Sequence, residues 1–320
     1  MIVYENSKRC FVEDIKSNCI ADKIYAKIRE RGINAGQERE FASWQNSLQF
    51  MRNVVDDKEI DDEVKIAIEY NIPLTSKRVD FIICGADAQN HDNIVVVELK
   101  QWQKAEVVAD DMHYCVKTFV GGNDRIVCHP SYQAYSYACF IRNYSQAVLD
   151  DGIGLIPCAY LHNYALKEND PILDEQYKEY IEEAPVFCER DALKLREFIH
   201  RFIQKGDDKK ILYEIDHGKI RPSKSLQNAI SNMLKGNREF IMIDDQKVVY
   251  ENILQLACKS KADMKKRTII VEGGPGTGKS VVAINLLAEL TKRGQFAQYA
   301  SKNSAPRQVY SQKLKGNFKK

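Results

Sequence analysis

The sequence lacks long hydrophobic runs and paired cysteine motifs. No apolar stretch approaches the roughly 18 residues of a membrane-spanning helix, so we expect no transmembrane segment. The first residues, Met1 to Asn6, lack the basic region and apolar core of an export signal. The nine cysteines contain no C-x-x-C pair, which argues against a zinc cluster or a disulfide framework and favours reduced thiols in the cytoplasm.

The chain also lacks a strong net charge. Its 47 basic and 45 acidic residues give a net charge of +2, so any binding to nucleic acid must come from local basic clusters. The hydrophobic content of 44% and the charged content of 29% are typical of a globular protein. A length of 320 residues predicts two domains, because single cores rarely grow beyond about 250–300 residues.

Hydrophobic periodicity divides the chain into three regions, 1–165, 166–240 and 241–320. The first alternates helices and strands, the second is a polar helical connector, and the third opens a nucleotide-binding module. The predicted helices are Ile20–Arg31, Glu38–Val55, a helix from Pro130 to about Leu149, Ala192–Gln204 and Ser223–Lys235. The predicted strands are Arg78–Cys84, Ile94–Lys100, Arg125–Cys128 and Ile153–Tyr160, and Leu166–Tyr180 is predicted to be a charged connection.

The stretch Gly273–Ser280 matches G-x-x-x-x-G-K-[ST], a phosphate-binding loop. An apolar run, Thr268–Val271, precedes it as a predicted strand, and a helical pattern, Val281–Lys292, follows it. Backbone N–H groups of such a loop close on a polyphosphate, with Lys279 at the terminal phosphates and Ser280 as a magnesium ligand. The alternative is a glycine-rich strand-to-helix turn that binds nothing.

Acidic residues are absent after Glu289. ATP hydrolysis needs an acidic residue on a later strand and a group that positions the attacking water. We therefore expect the chain to be the front part of a longer protein that binds ATP but neither hydrolyses it efficiently nor unwinds a duplex. We also expect the complete chemistry to lie upstream.

A second group of charged residues lies on two apolar strands. Glu98 and Lys100 follow the apolar run Ile94–Val97 and point to one face, because side chains alternate along a strand. In a hairpin with the preceding strand, Asp80 comes close to Glu98. Two carboxylates and a lysine would bind magnesium and stabilise a hydroxide nucleophile, which is the equipment for phosphodiester hydrolysis. The alternative is a solvated strand end with a same-face ion pair.

Asp80, Glu98-x-Lys100 and a later helix with Gln133-x-x-x-Tyr137 resemble the PD-(D/E)xK nuclease superfamily, specifically its RecB-like branch. The resemblance implies that the aspartate and the glutamate hold the metal and that the lysine assists the water. It also implies that the Gln133/Tyr137 helix contacts the site and the substrate. The family's Pro-Asp is Val79-Asp80 here.

Further residues near these motifs allow two interpretations each. Glu40 occupies the place of a helical glutamate that adds to the metal site in such nucleases, or it is a surface residue. His129 either touches the scissile phosphate or caps the helix that follows, and we favour the cap. Four aromatic residues at helical spacing either stack bases or, as we favour, join the core: Tyr132, Tyr135, Phe140 and Tyr144.

The carboxyl-terminal region resembles superfamily-1 helicases. Ile243-Asp-Asp-Gln246 precedes the phosphate loop, and in those proteins a glutamine at this place reads adenine. Tyr299–Asn303 resembles a further helicase motif. The whole order resembles bacterial nuclease–helicase proteins whose ATPase half belongs to the Schlafen-type DNA/RNA helicase group. Such fusions are associated with phage defence and DNA processing. The residues implied to contact ATP are Gln246, Gly273, Gly274, Gly276, Thr277, Gly278, Lys279 and Ser280.

These resemblances imply an α/β protein with two parts. The first is a restriction-endonuclease-like domain with a mixed central sheet flanked by helices, and the second is an incomplete RecA-like P-loop NTPase domain. They imply a nuclease that uses Mg²⁺ or Mn²⁺, an ATP-binding helicase module, and DNA rather than RNA as the partner. We also expect either a homo-oligomer or a partner that completes the ATPase. An RNA-directed nuclease and an inert ATP-dependent binding or regulatory module remain the alternatives.

Overall fold

The computed structural model describes residues 2–30, 38–73, 75, 77–108, 112–207, 210–218, 241–274 and 276–300. The chain forms two compact units. One comprises Met1–Val107, Val116–Arg125 and His129–Arg221, and the other comprises Val108–Cys115, Ile126–Cys128 and Pro222–Lys320. The predicted helix Ser223–Lys235 lies outside the described residues.

Nine strands form two sheets in the described part of the chain. The six-stranded sheet has the order β1-β2-β3-β4-β8-β9, and a three-stranded sheet has the order β5-β6-β7. In the larger sheet β1 to β4 pair antiparallel, whereas β4, β8 and β9 pair parallel. The strands are β1 Ile2–Ser7, β2 Lys65–Asn71, β3 Arg78–Ala86, β4 Asp92–Lys100, β5 Glu106–Val107, β6 Cys115–Val120, β7 Asn123–Cys128, β8 Gly154–Leu161 and β9 Val186–Cys188.

Helices flank this mixed sheet, so the predicted α/β class and mixed central sheet are confirmed. The helices are α1 Lys8–Lys16, α2 Ile20–Glu30, α3 Glu38–Val55, α4 Pro130–Tyr144, α5 Gln146–Asp150, α6 Lys178–Glu183, α7 Ala192–Phe202, α8 Ile211–His217, α9 Asp245–Asp263 and α10 Lys279–Lys292. None of the helices that the structure describes combines the length and the apolar content needed to cross a bilayer.

The two faces of the large sheet are covered by different helices. Helices α1, α2, α3 and α7 pack against one face, where Phe81, Val95, Val97 and Tyr160 join a continuous core. Helix α4 packs against β4 and β8, and none of its residues belongs to that core. Because side chains alternate along a strand, Val96 and Glu98 lie on the face that α4 covers.

The stretch predicted to be a charged connection is structured. It contains 3₁₀ turns at Pro171–Leu173 and Glu175–Tyr177, followed by α6. Ile172 and Tyr177 are fully buried, and Tyr180 lies edge-on to Tyr132 of α4. The burial of these apolar and aromatic groups stabilises a packed structure despite the many charges of the segment. Hydrophobic periodicity alone does not predict this burial.

The second unit is built around two helices. Met242, Tyr250 and Leu254 pack against Val282 and Leu286 across α9 and α10. The run Thr268–Val271, predicted to be a strand, is in neither described sheet, and the side chain of Ile270 is 80% exposed. A strand needs a neighbour for its backbone N–H and C=O groups, and the part of the chain that the structure describes pairs none with this run.

Candidate active site

The register of β3 against β4 brings the predicted carboxylates together. Phe81 lies opposite Val97, so Asp80 is opposite Glu98, and a side-chain hydrogen bond joins the two. The backbone N–H of Leu99 donates to Asp80 Oδ2 at 2.8 Å. Lys100 Nζ lies 2.5 Å from Glu98 Oε1. The structure therefore brings all three predicted charged residues to one place.

The electrostatics of this cluster reflect the buried carboxyl group of Glu98 and the partly exposed carboxyl group of Asp80 beside one ammonium group. Burial raises the pKa of Asp80, although the Lys100 charge, the Leu99 N–H and Glu98 each act to lower it. Glu98 is almost fully buried. Desolvation of a carboxylate favours its protonated form. Asp80 therefore keeps its proton to a higher pH than an exposed aspartate would.

The donor chemistry fits Mg²⁺ or Mn²⁺ held by few protein ligands. Mg²⁺ prefers oxygen ligands and usually keeps several waters, with one or two carboxylates from the protein. Asp80 and Glu98 supply that number. Within the described residues, no group of three or more His, Cys, Asp or Glu side chains is arranged to hold a metal ion. The described residues therefore do not supply a complete set of metal ligands from protein side chains alone.

A third acid, the buried Glu69 on β2, borders the pair, and no motif in the sequence predicts it. Its backbone is left-handed (φ 56°), a conformation that non-glycine residues seldom adopt and that is common at functional sites. Trp44 Nε1 donates to Glu69 Oε1 at 2.7 Å, and Arg78 Nε lies 3.1 Å from Glu69 Oε2. Burial and then the Asp80 charge raise the pKa of Glu69 to about 7, against the opposing effects of Arg78 and Trp44.

Glu40 reaches the cluster through an arginine. Its Oε1 atom lies 3.3 Å from Nη2 of Arg78, which also binds Glu69. Its Oε2 atom is buried, with no hydrogen-bond partner among the described residues. Glu40 is thus neither isolated on the surface nor seen in contact with Asp80 or Glu98. Its predicted part in the metal site remains a prediction.

A second polar network lies at the carboxyl ends of β4 and β8. Gln101 Nε2 donates to Ser43 Oγ at 2.8 Å and to Ser47 Oγ at 3.0 Å. The buried His162 ring places Nε2 3.0 Å from the same Ser47 hydroxyl and stacks on Phe50. Burial lowers the pKa of His162, so the ring is neutral. This network ties α3 to the strand ends that carry Glu98 and Lys100.

Gln133 and Tyr137 act as a pair on α4. Gln133 Nε2 donates to the Tyr137 hydroxyl at 2.9 Å, as expected for residues four apart on a helix. Helix α4 packs against β4 and β8, on the face where alternation places Glu98. This location is compatible with the predicted role of the pair, which remains a prediction.

His129 caps α4, as favoured from the sequence. Its Nδ1 accepts from the Ser131 N–H at 3.2 Å, so Nε2 carries the hydrogen and donates to the Ile172 carbonyl at 2.9 Å. The ring is fully buried against Tyr177, and burial lowers its pKa to about 4. Both nitrogens are engaged away from solvent, so the expected alternative of a phosphate contact does not fit.

The aromatic residues of α4 pack against protein. Tyr132 and Tyr135 contact Tyr180 of α6, and Phe140 stacks on Tyr144. The helix ends at Tyr144, earlier than predicted, because Ser145 starts the short helix α5 and its hydroxyl accepts from the Val148 N–H. These contacts favour the packing interpretation of the four aromatic residues over base stacking.

The glycine-rich loop of the second unit contacts Gln246. Gln246 Nε2 donates to the Thr277 carbonyl at 3.1 Å, and a Cβ at Gly278 would lie 2.3 Å from that nitrogen. Gly276 and Gly278 have φ of 76° and 82°, which favour glycine. Thr277 Oγ1 donates to the Gly274 carbonyl at 2.9 Å.

Lys279 and Ser280 begin α10, the helix that follows the loop. Lys279 Nζ donates to the carbonyls of Gly273 and Gly274, so the lysine lies over the loop. Ser280 is exposed in the first turn of α10. Pro275 and the residues after Ala300 lie outside the described residues, as do most residues of the Tyr299–Asn303 motif. The assignment of this loop to ATP remains a prediction.

Replacing Glu69 by glutamine tests the electrostatics of the cluster. The raised pKa means that the protonated form stabilises the folded state fully below about pH 4.5, and that this stabilisation is lost as pH rises through about 7. Glu69→Gln can still accept from Trp44, loses the second acceptor oxygen that faces Arg78 Nε at every pH, and does not titrate. We expect the variant, relative to the wild type, to gain on the order of 2 kcal/mol of unfolding free energy between about pH 5 and pH 8 in EDTA.

Urea denaturation followed by circular dichroism measures this difference. The control Glu59→Gln, at an exposed position, reports the loss of a carboxyl group outside the cluster. A stability difference between Glu69→Gln and the wild type that does not change with pH would contradict the electrostatic account.

Comparisons with known proteins match only the carboxyl-terminal part of the chain. No curated protein and no solved structure matches the sequence. Residues 266–320 match a family model described as Schlafen group 3, DNA/RNA helicase domain. This match covers less than a fifth of the chain and includes the phosphate loop. It supports a Schlafen-type helicase part within this chain.

Proposed function

We propose that this chain is a metal-dependent nuclease that hydrolyses phosphodiester bonds of DNA and carries an ATP-binding, Schlafen-type helicase module. The observation that carries the proposal is the convergence of Asp80, Glu98 and Lys100 on one buried face of the sheet. The helicase-like match of residues 266–320 supports a role on nucleic acid. We further propose that the protein acts in phage defence or DNA processing, as the resemblance implies.

The chemistry follows from the charges at the site. Asp80 and Glu98 would hold Mg²⁺ or Mn²⁺, which when bound supplies Lewis acidity and lowers the pKa of a bound water. Glu98 orients the Lys100 ammonium group at 2.5 Å. Lys100 would in turn hydrogen-bond the attacking water and offset the negative charge that develops on the phosphate in the transition state. Burial of the site strengthens each of these interactions, because the local dielectric constant is low.

RNA is the second candidate substrate. A protein distinguishes RNA from DNA at a given site through contacts with the 2′-hydroxyl group, and no residue of the candidate site is assigned to such a contact. DNA is proposed because the resemblance is to DNA-processing nuclease–helicase proteins. A panel of labelled single- and double-stranded DNA and RNA, each with Mg²⁺ and with Mn²⁺, separates the two candidates.

An inert binding or regulatory module is the third candidate. Its charged residues would serve only to stabilise the fold. A buried ion pair seldom stabilises a protein more than apolar residues of the same volume would. The burial of Asp80 and Glu98 beside Lys100 therefore supports the nuclease proposal over this alternative.

Cleavage of labelled DNA by variants of the three charged residues tests the nuclease proposal. We expect Asp80→Ala, Glu98→Ala and Lys100→Ala each to lower cleavage by at least about a hundredfold, because each removes a group that acts on the metal or the water. The isosteric variant Glu98→Gln, with circular dichroism as the check on folding, guards against loss of structure. Fluorescent oligonucleotides resolved on denaturing gels measure the rates.

The matched control is Glu106→Ala. Glu106 pairs with Lys117 at 2.8 Å on an exposed surface, so this variant also breaks a glutamate–lysine pair but one outside the site. We expect it to cut at the wild-type rate. Cleavage at the wild-type rate by a folded Glu98→Ala protein would contradict the nuclease proposal.

The helicase module is expected to bind ATP. Lys279 lies over the glycine-rich loop and Gln246 contacts it, so we expect Lys279→Ala to weaken ATP binding at least about tenfold, because it removes a cation at the phosphates. Fluorescent ATP analogues measure this binding.

Wild-type affinity for the ATP analogue in a folded Lys279→Ala protein would contradict this account of the module.

A further inference from the structure

Arg78 is held in place by two carboxylates. Its Nε lies 3.1 Å from Glu69 Oε2 and its Nη2 lies 3.3 Å from Glu40 Oε1. Glu69 is itself fixed by the Trp44 indole N–H at 2.7 Å. The guanidinium plane therefore has little freedom to rotate, and the direction of its third nitrogen is set by the other two.

The third nitrogen, Nη1, differs from the other two. It is buried and has no hydrogen-bond partner among the residues that the structure describes. A buried donor without an acceptor is unfavourable, and more so on a charged group. Such groups are uncommon in folded proteins and call for an explanation. An acceptor that is present only in a complex would supply one.

The position of Arg78 points to the site. Arg78 precedes Asp80 by two residues on β3, and its charge acts on the Asp80 carboxyl group. Its side chain is 23% exposed, but Nη1 itself is buried, so a bound strand must shift the groups that cover Nη1 in order to reach it. Nε and Nη2 are engaged by Glu69 and Glu40, so Nη1, with its two N–H donors, is the nitrogen left for a phosphate oxygen, and lysine offers no such fixed pair of donors.

We propose that Arg78 binds a phosphate of the nucleic-acid strand next to the bond that Asp80, Glu98 and Lys100 act on. This assignment rests on the proposed nuclease function for its substrate, but the binding itself can be measured without cleavage. Glu40, Glu69 and Trp44 are positioning residues, because they orient the guanidinium before the strand arrives. The competing interpretation is that Arg78 only neutralises its acidic neighbours.

Salt-dependent binding tests the proposal. The logarithm of the binding constant falls with the logarithm of salt concentration in proportion to the number of phosphates neutralised. Fluorescence anisotropy of labelled single- and double-stranded DNA would be followed over a KCl series, in EDTA and again in CaCl₂. We expect Arg78→Gln to reduce the magnitude of the salt slope by about one and to weaken binding by about tenfold at low salt.

The matched control is Arg196→Gln, which also removes one guanidinium group. All three nitrogen atoms of Arg196 have partners: the Val54 and Asn53 carbonyls and the Asp57 carboxylate. We expect this variant to lower the melting temperature and to leave the salt slope unchanged. Arg78→Lys, which keeps the charge but loses the paired donors, should keep the slope and bind severalfold more weakly.

The possible outcomes separate the phosphate contact of Arg78 from the proposed nuclease function. A wild-type salt slope in Arg78→Gln, even with reduced stability, would overturn the proposal and leave the nuclease function standing. Should Arg78→Gln not fold, wild-type affinity in Arg78→Lys would overturn it. A slope that depends on Arg78 in a protein that cuts no substrate would support the phosphate contact and refute the nuclease function. No salt-dependent binding by the wild type would refute both.

Discussion

The antiparallel register of β3 and β4 is the constraint on which the candidate site depends. It places Asp80 opposite Glu98 and sets Lys100 on the same face. The apolar run Phe81–Cys84 follows Asp80 and the apolar run Ile94–Val97 precedes Glu98, so the two carboxyl groups meet beside the buried part of the sheet. Two like charges in that setting are unfavourable unless a proton, a lysine or a metal ion compensates them. A shift of one residue along β3 would move Asp80 away from Glu98 and remove the site.

Helix α3 takes part in two polar networks that lie next to this pair. Near its start, Glu40 and Trp44 hold Arg78 and Glu69, which border Asp80. One turn further along, Ser47 joins Gln101 and His162 at the ends of β4 and β8. In the first network one guanidinium group faces two carboxyl groups, whereas the second is made of neutral groups, and both link α3 to the strands. Phosphodiester hydrolysis needs metal ligands held to within about half an ångström, and supporting shells of this kind provide that restriction.

The charged cluster could be predicted from the sequence because the two predicted apolar strands, Arg78–Cys84 and Ile94–Lys100, each carry one acid. Pairing these strands in a hairpin brings the two acids close together. The sequence predicted the bounds of α3 and the cap at His129 for similar local reasons. Glu69 carries the signal that identified Glu98, an acid inside an apolar run, but it belongs to no recognised motif and its left-handed backbone breaks the alternation. Buried Tyr177 gave the polar segment a packed structure, and the run Thr268–Val271 lies in neither described sheet. The packing of the polar segment and the absence of Thr268–Val271 from the described sheets both depend on tertiary contacts, which cannot be read from local sequence patterns.

The most direct test of the central claim is a calorimetric titration of Mn²⁺ into the nucleotide-free protein, in two buffers of different ionisation enthalpy. Asp80 and Glu98 are the two carboxyl groups expected to hold the ion, and the two buffers separate metal binding from any proton that the ion displaces from them. The account predicts saturable binding of about one ion per chain, lost in the isosteric variant Asp80→Asn. Saturable binding that is unchanged in Asp80→Asn, or no saturable binding by the wild type, would contradict it.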